Sequence, residues 1–73
     1  MSPSALYAIA VCHHRGLGRK KDLKKAVSYY RRAAEKGDKR AQNNLGYCLA
    51  TGAGVAQNAQ EAVQWFIRAS HQS

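Results

Sequence analysis

The chain has 73 residues, which limits it to one domain. Apolar residues make up 45% of the sequence, a fraction that is ordinary for a folded protein and argues against a disordered chain. The apolar segment over residues 5–12 is too short to cross a bilayer, and it lacks the basic flank and cleavage site of a signal peptide. We therefore expect a cytoplasmic protein without a transmembrane segment, in which both cysteines are reduced thiols.

The net charge of +8 is concentrated in one half of the chain. Residues 1–40 contain eleven of the twelve Lys and Arg, together with three acidic residues. The only charged residues in the segment 41–73 are Arg68 and Glu61, so this half carries no net charge. The basic charge is thus a property of this protein's first half, and a basic surface attracts acidic partners.

The first half predicts two helices. Ser2 is suited to cap a helix that has Pro3 in its first turn and stops at Gly16. After a short glycine loop, Asp22 caps a second helix, which Gly37 ends. The predicted apolar stripes are Ala5, Leu6, Ile9, Ala10, Cys12 and His13 in the first helix, and Leu23, Ala26, Val27, Tyr30, Ala33 and Ala34 in the second.

The second half predicts two more helices on the same plan. Asp38 caps the third helix, Gly52 ends it, and Asn58 caps the fourth. The predicted stripes are Ala41, Leu45, Cys48 and Leu49 in the third helix, and Ala59, Ala62, Val63, Phe66, Ala69 and Ser70 in the fourth. No segment shows β-branched alternation, so strands are not expected.

The two halves repeat each other with a period of about 36 residues, which is typical of a repeat architecture. Identical residues occupy matching positions: Ala5/Ala41, Cys12/Cys48, Gly16/Gly52, Gly18/Gly54, Ala26/Ala62, Val27/Val63, Arg32/Arg68 and Ala33/Ala69. We expect a single domain over residues 1–73, with one repeat at about 5–40 and the other at about 41–73. Because repeats build surfaces, binding is favoured over catalysis.

This pattern resembles that of the Sel1-like repeats, which are relatives of the tetratricopeptide repeats. The matching residues include Ala5, Gly16, Gly18, Asp22, Ala26, Tyr29, Tyr30, Ala33 and Gly37 in the first copy, and Ala41, Leu45, Gly46, Gly52, Gly54, Val55, Asn58, Ala62, Trp65, Phe66 and Ala69 in the second. The resemblance implies an all-α, right-handed solenoid of four antiparallel helices, a protein–protein adaptor role and no catalytic residues. His13 and Leu49 stand where the family usually has Tyr, and Arg19 stands where it has Val.

Enzymatic, metal-binding and disulfide chemistry are not predicted. His13 and His14 are adjacent in a helix and point about 100° apart, so they do not chelate together, and His71 has no partner at zinc spacing. Cys12 and Cys48 would be separated by the helix-packing distance of roughly 8–10 Å, which is too far for a disulfide. The Gly-rich segment at 16–21 lacks the spacing of a phosphate-binding loop. No cofactor is expected.

The function predicted from the sequence is that of an adaptor that presents a basic helical surface to a protein partner. The candidate binding residues are Lys24, Tyr29, Arg31, Arg32, Gln64 and Trp65. Charge reversal at both Arg31 and Arg32 is expected to abolish partner capture and to leave helicity intact. Three alternatives remain open for the basic residues: a solvated face that maintains solubility, a nucleic-acid surface, and an anionic-membrane surface.

Two repeats are fewer than the three that usually form a stable array, so both ends of the domain should expose apolar surface. The sequence leaves two ways to cover these ends. The chain either associates end to end with copies of itself or is part of a longer repeat array.

Overall fold

The chain forms four helices. The computed structural model describes residues 1–71. Helix α1 spans Pro3–Arg15, α2 spans Leu23–Glu35, α3 spans Lys39–Thr51 and α4 spans Ala59–Ser70, and there is no strand within these 71 residues. The predicted all-α class and the predicted order of helices are confirmed. None of the described helices is both long and apolar enough to cross a membrane.

Each helix starts at the cap predicted for it. The side chains of Ser2, Asp22, Asp38 and Asn58 each accept a hydrogen bond from the backbone amide three residues ahead. Helices α1 and α3 both end at a glycine in the left-handed conformation, with φ of 72° at Gly16 and 74° at Gly52. Local sequence therefore sets the helix ends in both repeats.

The helices pack against one another in chain order: α1 on α2, α2 on α3, and α3 on α4. Alanines along the shared faces allow the backbones to come close, and four large, fully buried side chains fill the space between them. These four residues are Tyr30, Leu6, Leu45 and Leu49. Gly46 allows the approach of α3 to α4, because a Cβ atom there would lie 2.8 Å from Cε1 of Phe66.

The predicted apolar stripe of α4 was partly wrong. Val63 is 54% exposed and Phe66 is 39% exposed, whereas their equivalents in the first repeat, Val27 and Tyr30, are buried. The reason is that α2 packs against both α1 and α3, whereas α4 packs on α3 and no further helix of the described chain follows it. Trp65 is buried instead, with an exposed fraction of 7%.

Candidate partner-binding surface

The structure separates the six predicted binding residues by burial. Lys24, Arg32 and Gln64 are exposed, and Tyr29 and Arg31 are half-buried. Trp65 lies in the core, so its ring does not form part of the accessible surface. Its indole donates a hydrogen bond to Glu61, one turn earlier on α4.

Glu61 connects Arg31 of the first repeat to Trp65 of the second. The Arg31 Nη1 atom lies 2.7 Å from Glu61 Oε2, and the Trp65 indole donates a hydrogen bond to the same oxygen at 3.0 Å. The Arg31 guanidinium lowers the pKa of the Glu61 carboxyl, and the Trp65 indole lowers it further. Arg31 and Trp65 therefore help to hold α2 and α4 in position.

The sequence contains a signal for this role of Glu61. Glu61 is the only acidic residue in the second half of the chain, and it precedes Trp65 by four residues. On a helix this spacing brings two side chains together on one face. The long-range contact with Arg31 depends on how the repeats stack, and the sequence alone does not give that geometry.

Tyr29 and Arg32 are brought together on α2. The guanidinium carbon of Arg32 lies 5.4 Å from the centroid of the Tyr29 ring. The Tyr29 ring also stacks on the imidazole of His13 of α1, with centroids 5.7 Å apart and ring planes inclined by 8°. The Arg32 guanidinium is thus placed over a supported aromatic ring, and its exposed edge is available to a partner.

A second cationic contact lies at the start of α3, at a residue outside the six predicted binding residues. The Arg40 side chain bonds to Asp38 at 2.9 Å and lies 4.3 Å above the ring of Tyr7. The hydrogen bond from Arg40 lowers the pKa of Asp38, which also caps α3. The Arg40 side chain therefore makes contacts within its own chain, whereas the Lys24 side chain forms no hydrogen bond or ion pair with the described residues.

Both cysteines are free thiols. Cys48 is buried, and this burial raises the pKa of its thiol, which lowers its reactivity. His14 Nδ1 is 3.0 Å from the hydroxyl of Tyr30, and no group of three metal-ligating side chains occurs among the described residues.

Comparison with known proteins identifies the repeats. The family model of the Sel1 repeat matches the chain twice, over residues 3–38 and 39–73. The chain belongs to the Sel1 repeat family. The resemblance seen in the sequence is therefore confirmed, and Sel1 repeats are generally protein–protein interaction modules.

This chain spans only part of the length of the proteins that it matches. Chitin synthase regulatory factor 2 of Schizosaccharomyces pombe is 39% identical over 67 residues, which cover 90% of this chain and 13% of that protein. The solved Sel1 repeat protein of Oxalobacter formigenes superposes with a TM-score of 0.93 at 38% identity, covering 96% of this chain and 29% of the other. Cysteine rich protein B of Helicobacter pylori superposes with a TM-score of 0.91 at 32% identity, covering 94% of this chain and 52% of the other.

Proposed function

We propose that the chain is a non-catalytic adaptor that binds an acidic protein partner through the basic surface of its first repeat. Two exposed side chains on α2, Lys24 and Arg32, are the center of this surface. Arg32 over Tyr29 is the anchor, since cationic and aromatic groups dominate the binding energy of many protein interfaces.

The difference in charge between the two repeats carries this proposal. Both repeats have the same two-helix structure, but the first contains nearly all of the cations. At the positions that match Lys24 and Lys25, the second repeat has Gln60 and Glu61. The fold is built without these cations in one repeat, so their presence in the other supports a role in binding.

We test the surface with a fluorescent peptide that forms an amphipathic helix with glutamates along its polar face. The Lys24→Glu/Arg32→Glu variant is expected to lower the affinity measured by fluorescence anisotropy at least about tenfold, because it places negative charge against the peptide. Arg31 is left unchanged, since its charge reversal would set two carboxylates side by side at Glu61.

The matched control is Lys36→Glu/Lys39→Glu, which changes the net charge equally at two exposed positions elsewhere. We expect this control to reduce the affinity less than about threefold. Equal losses in the two variants would overturn the proposed surface.

Nucleic-acid binding is the second candidate, and the sequence pI of about 10.0 favours it. Single-stranded RNA added as a competitor distinguishes the two functions. If the chain is a protein adaptor, the peptide remains bound at moderate salt while RNA dissociates, because phosphate contacts weaken steeply as salt rises. Tighter binding of RNA under these conditions would favour the alternative.

A second interface is proposed at the uncovered side of α4, where a second copy of the chain packs through α1. Val63 and Phe66 are exposed there, whereas their equivalents Val27 and Tyr30 are buried in α2, which packs against α3. On α1, Ile9 and Cys12 are half-buried, whereas their equivalents Leu45 and Cys48 on α3 are buried. Helix α1 of another copy thus resembles the α3 surface that α4 lacks, which gives a head-to-tail contact.

Sedimentation equilibrium is expected to show an average mass above the 8.0 kDa monomer that rises with concentration. Phe66→Asp on α4 and Ile9→Asp on α1 should each produce monomers, while an equimolar mixture of the two should form 1:1 dimers through the one intact interface. Leu17→Asp, at another exposed apolar side chain, is the control that should leave association unchanged. A monomer at every concentration would contradict self-association. It would favour the alternative that α4 packs against another repeat of a longer array.

A further inference from the structure

The loop between α1 and α2 borders a cavity of about 470 Å³ at the start of α2. Four of its six lining residues are Lys or Arg, and the full set is His13, Arg19, Lys20, Lys21, Asp22 and Lys25. The one carboxylate among them, on Asp22, accepts a hydrogen bond from the backbone amide of Lys25 and so caps α2. The cavity is therefore strongly cationic, and it lies at the positive end of the α2 dipole.

The same loop in the second repeat has no such charge. The residues that match the cavity lining are Leu49, Val55, Ala56, Gln57, Asn58 and Glu61. Both loops nevertheless close with the same backbone bond, from Asp22 N to His13 O at 2.9 Å and from Asn58 N to Leu49 O at 2.8 Å. The shape of the loop does not depend on the cations, so they are available for a ligand.

His13 and Arg19 form a polar pair where the second repeat has apolar side chains. The guanidinium of Arg19 donates to Nε2 of His13 at 3.2 Å, so the ring proton of neutral His13 is on Nδ1. His13 is 7% exposed, and its Nδ1 has no hydrogen-bond partner within the described part of the chain. In the second repeat, Leu49 is buried and Val55 packs against the core.

The buried Nδ1 atom of His13 has no hydrogen-bond partner among the described residues, so it does not stabilise the fold. The Nε2 atom of the same ring accepts the hydrogen bond that positions Arg19. The stacked ring of Tyr29 supports the imidazole in turn. Burial and stacking thus fix the His13 ring, and its hydrogen bond holds the Arg19 guanidinium at the wall of the cavity. A guanidinium that is already in position loses less entropy when it binds an oxyanion.

We propose that this cavity binds the phosphate group of a phosphorylated protein partner. A phosphate monoester carries close to two negative charges and three acceptor oxygens, which suit one Arg fork and several Lys ammonium groups. Arg19 donates to the phosphate oxygens, and Lys20, Lys21 and Lys25 neutralise its charge. The proposal rests on the adaptor function, because the phosphate is that of the protein partner.

The test follows backbone and Arg side-chain NMR signals of the intact chain during titration with three peptides of one sequence, containing phosphoserine, serine or glutamate at the central position. Inorganic phosphate is a fourth probe. We expect phosphoserine and inorganic phosphate to shift the signals of Arg19, Lys21 and Lys25, and the phosphopeptide to bind at least about tenfold more tightly than the glutamate peptide.

In the matched variants, residues of the cavity are replaced by the residues at the equivalent positions of the second repeat, which forms the same loop. Arg19→Val/Lys21→Gln should weaken phosphopeptide binding at least about tenfold. Lys36→Gln/Lys39→Gln removes the same charge outside the cavity and should weaken it less than about twofold. His13→Leu should weaken phosphopeptide binding while raising the melting temperature, a combination that a purely structural role of His13 does not produce.

Equal weakening by the two double variants, or equal affinity for the phosphoserine and glutamate peptides, would overturn the cavity as a phosphate site. Binding only to vesicles that contain a phosphorylated inositol lipid, and not to the phosphopeptide, would overturn the protein partner as its source. The helical acidic peptide used for the Lys24 and Arg32 surface separates this failure from that of the adaptor proposal. If only the cavity assignment is wrong, this peptide still binds the wild-type chain and Lys24→Glu/Arg32→Glu still weakens its binding, whereas failure of the adaptor proposal removes that binding as well.

Discussion

Replacing Gly54 with alanine is expected to destabilise the protein by about 3 kcal/mol or more, because strain and overpacking act together. Gly54 has a φ of 73°, in the left-handed region that disfavours side chains. A Cβ atom there would lie 2.5 Å from the carbonyl oxygen and 2.6 Å from the carbonyl carbon of Leu23. Both atoms belong to the backbone at the start of α2, so they cannot rotate away.

The size of the effect follows from the size of the domain. A core of this length rarely supplies more than about 3–5 kcal/mol of net stability. Gly54→Ala is therefore expected to leave a large part of the protein unfolded, and urea unfolding followed by far-UV circular dichroism measures the loss. Because Gly54 belongs to the second loop and Leu23 to the first repeat, the clash is at a contact between repeats.

Gly18 provides the matched control. It occupies the equivalent position in the first repeat and has a similar φ of 70°, but a Cβ atom there would meet nothing within 4 Å. Gly18→Ala should therefore lose only about 1 kcal/mol from backbone strain. Equal losses at the two positions would mean that the approach of Gly54 to α2 does not contribute to stability.

The ends of the helices could be predicted from the sequence because their causes are local. A capping side chain such as Asp22 acts on an amide three residues away, and a stop such as Gly16 acts within its own turn. Burial on α4 could not be predicted in this way. Phe66 matches Tyr30, but α2 packs between α1 and α3, whereas no further helix of the described chain follows α4, so Phe66 stays 39% exposed.

The candidate sites show the same division between local and long-range causes. The sequence located the cations in the first repeat and identified His13 and Arg19 as departures from the family pattern. It did not show that these two departures contact each other, because the loop that joins them must fold back on α1. Similarly, Arg31 was predicted to bind a partner, but the stacking of the repeats places it against Glu61.

The stability of the protein is expected to fall by about 2 kcal/mol between pH 10 and pH 12 through the ionisation of Tyr30. Burial raises the pKa of the Tyr30 phenol to about 12 in the folded protein, from 10.0 in an exposed tyrosine. The ring is 1% exposed, and its hydroxyl is 3.0 Å from His14 Nδ1. Above pH 10 the unfolded chain loses this proton first, so rising pH favours unfolding until the folded protein also ionises near pH 12.

Urea unfolding at a series of pH values tests the assignment. Tyr30→Phe should lose about 1 kcal/mol at pH 8, since the hydrogen bond with His14 is removed, but its stability should fall less steeply above pH 10. Burial also raises the pKa of the Cys48 thiol, and the Cys48 charge helps to raise the pKa of Tyr30, so Tyr30→Phe removes the ionisation of Tyr30 together with this interaction. Tyr47→Phe, at a side chain that is 60% exposed, should keep the wild-type slope. The decrease in the free energy of unfolding above pH 10 should therefore be smaller in Tyr30→Phe than in Tyr47→Phe. A wild-type decrease in Tyr30→Phe would contradict the assignment of this pH dependence to Tyr30.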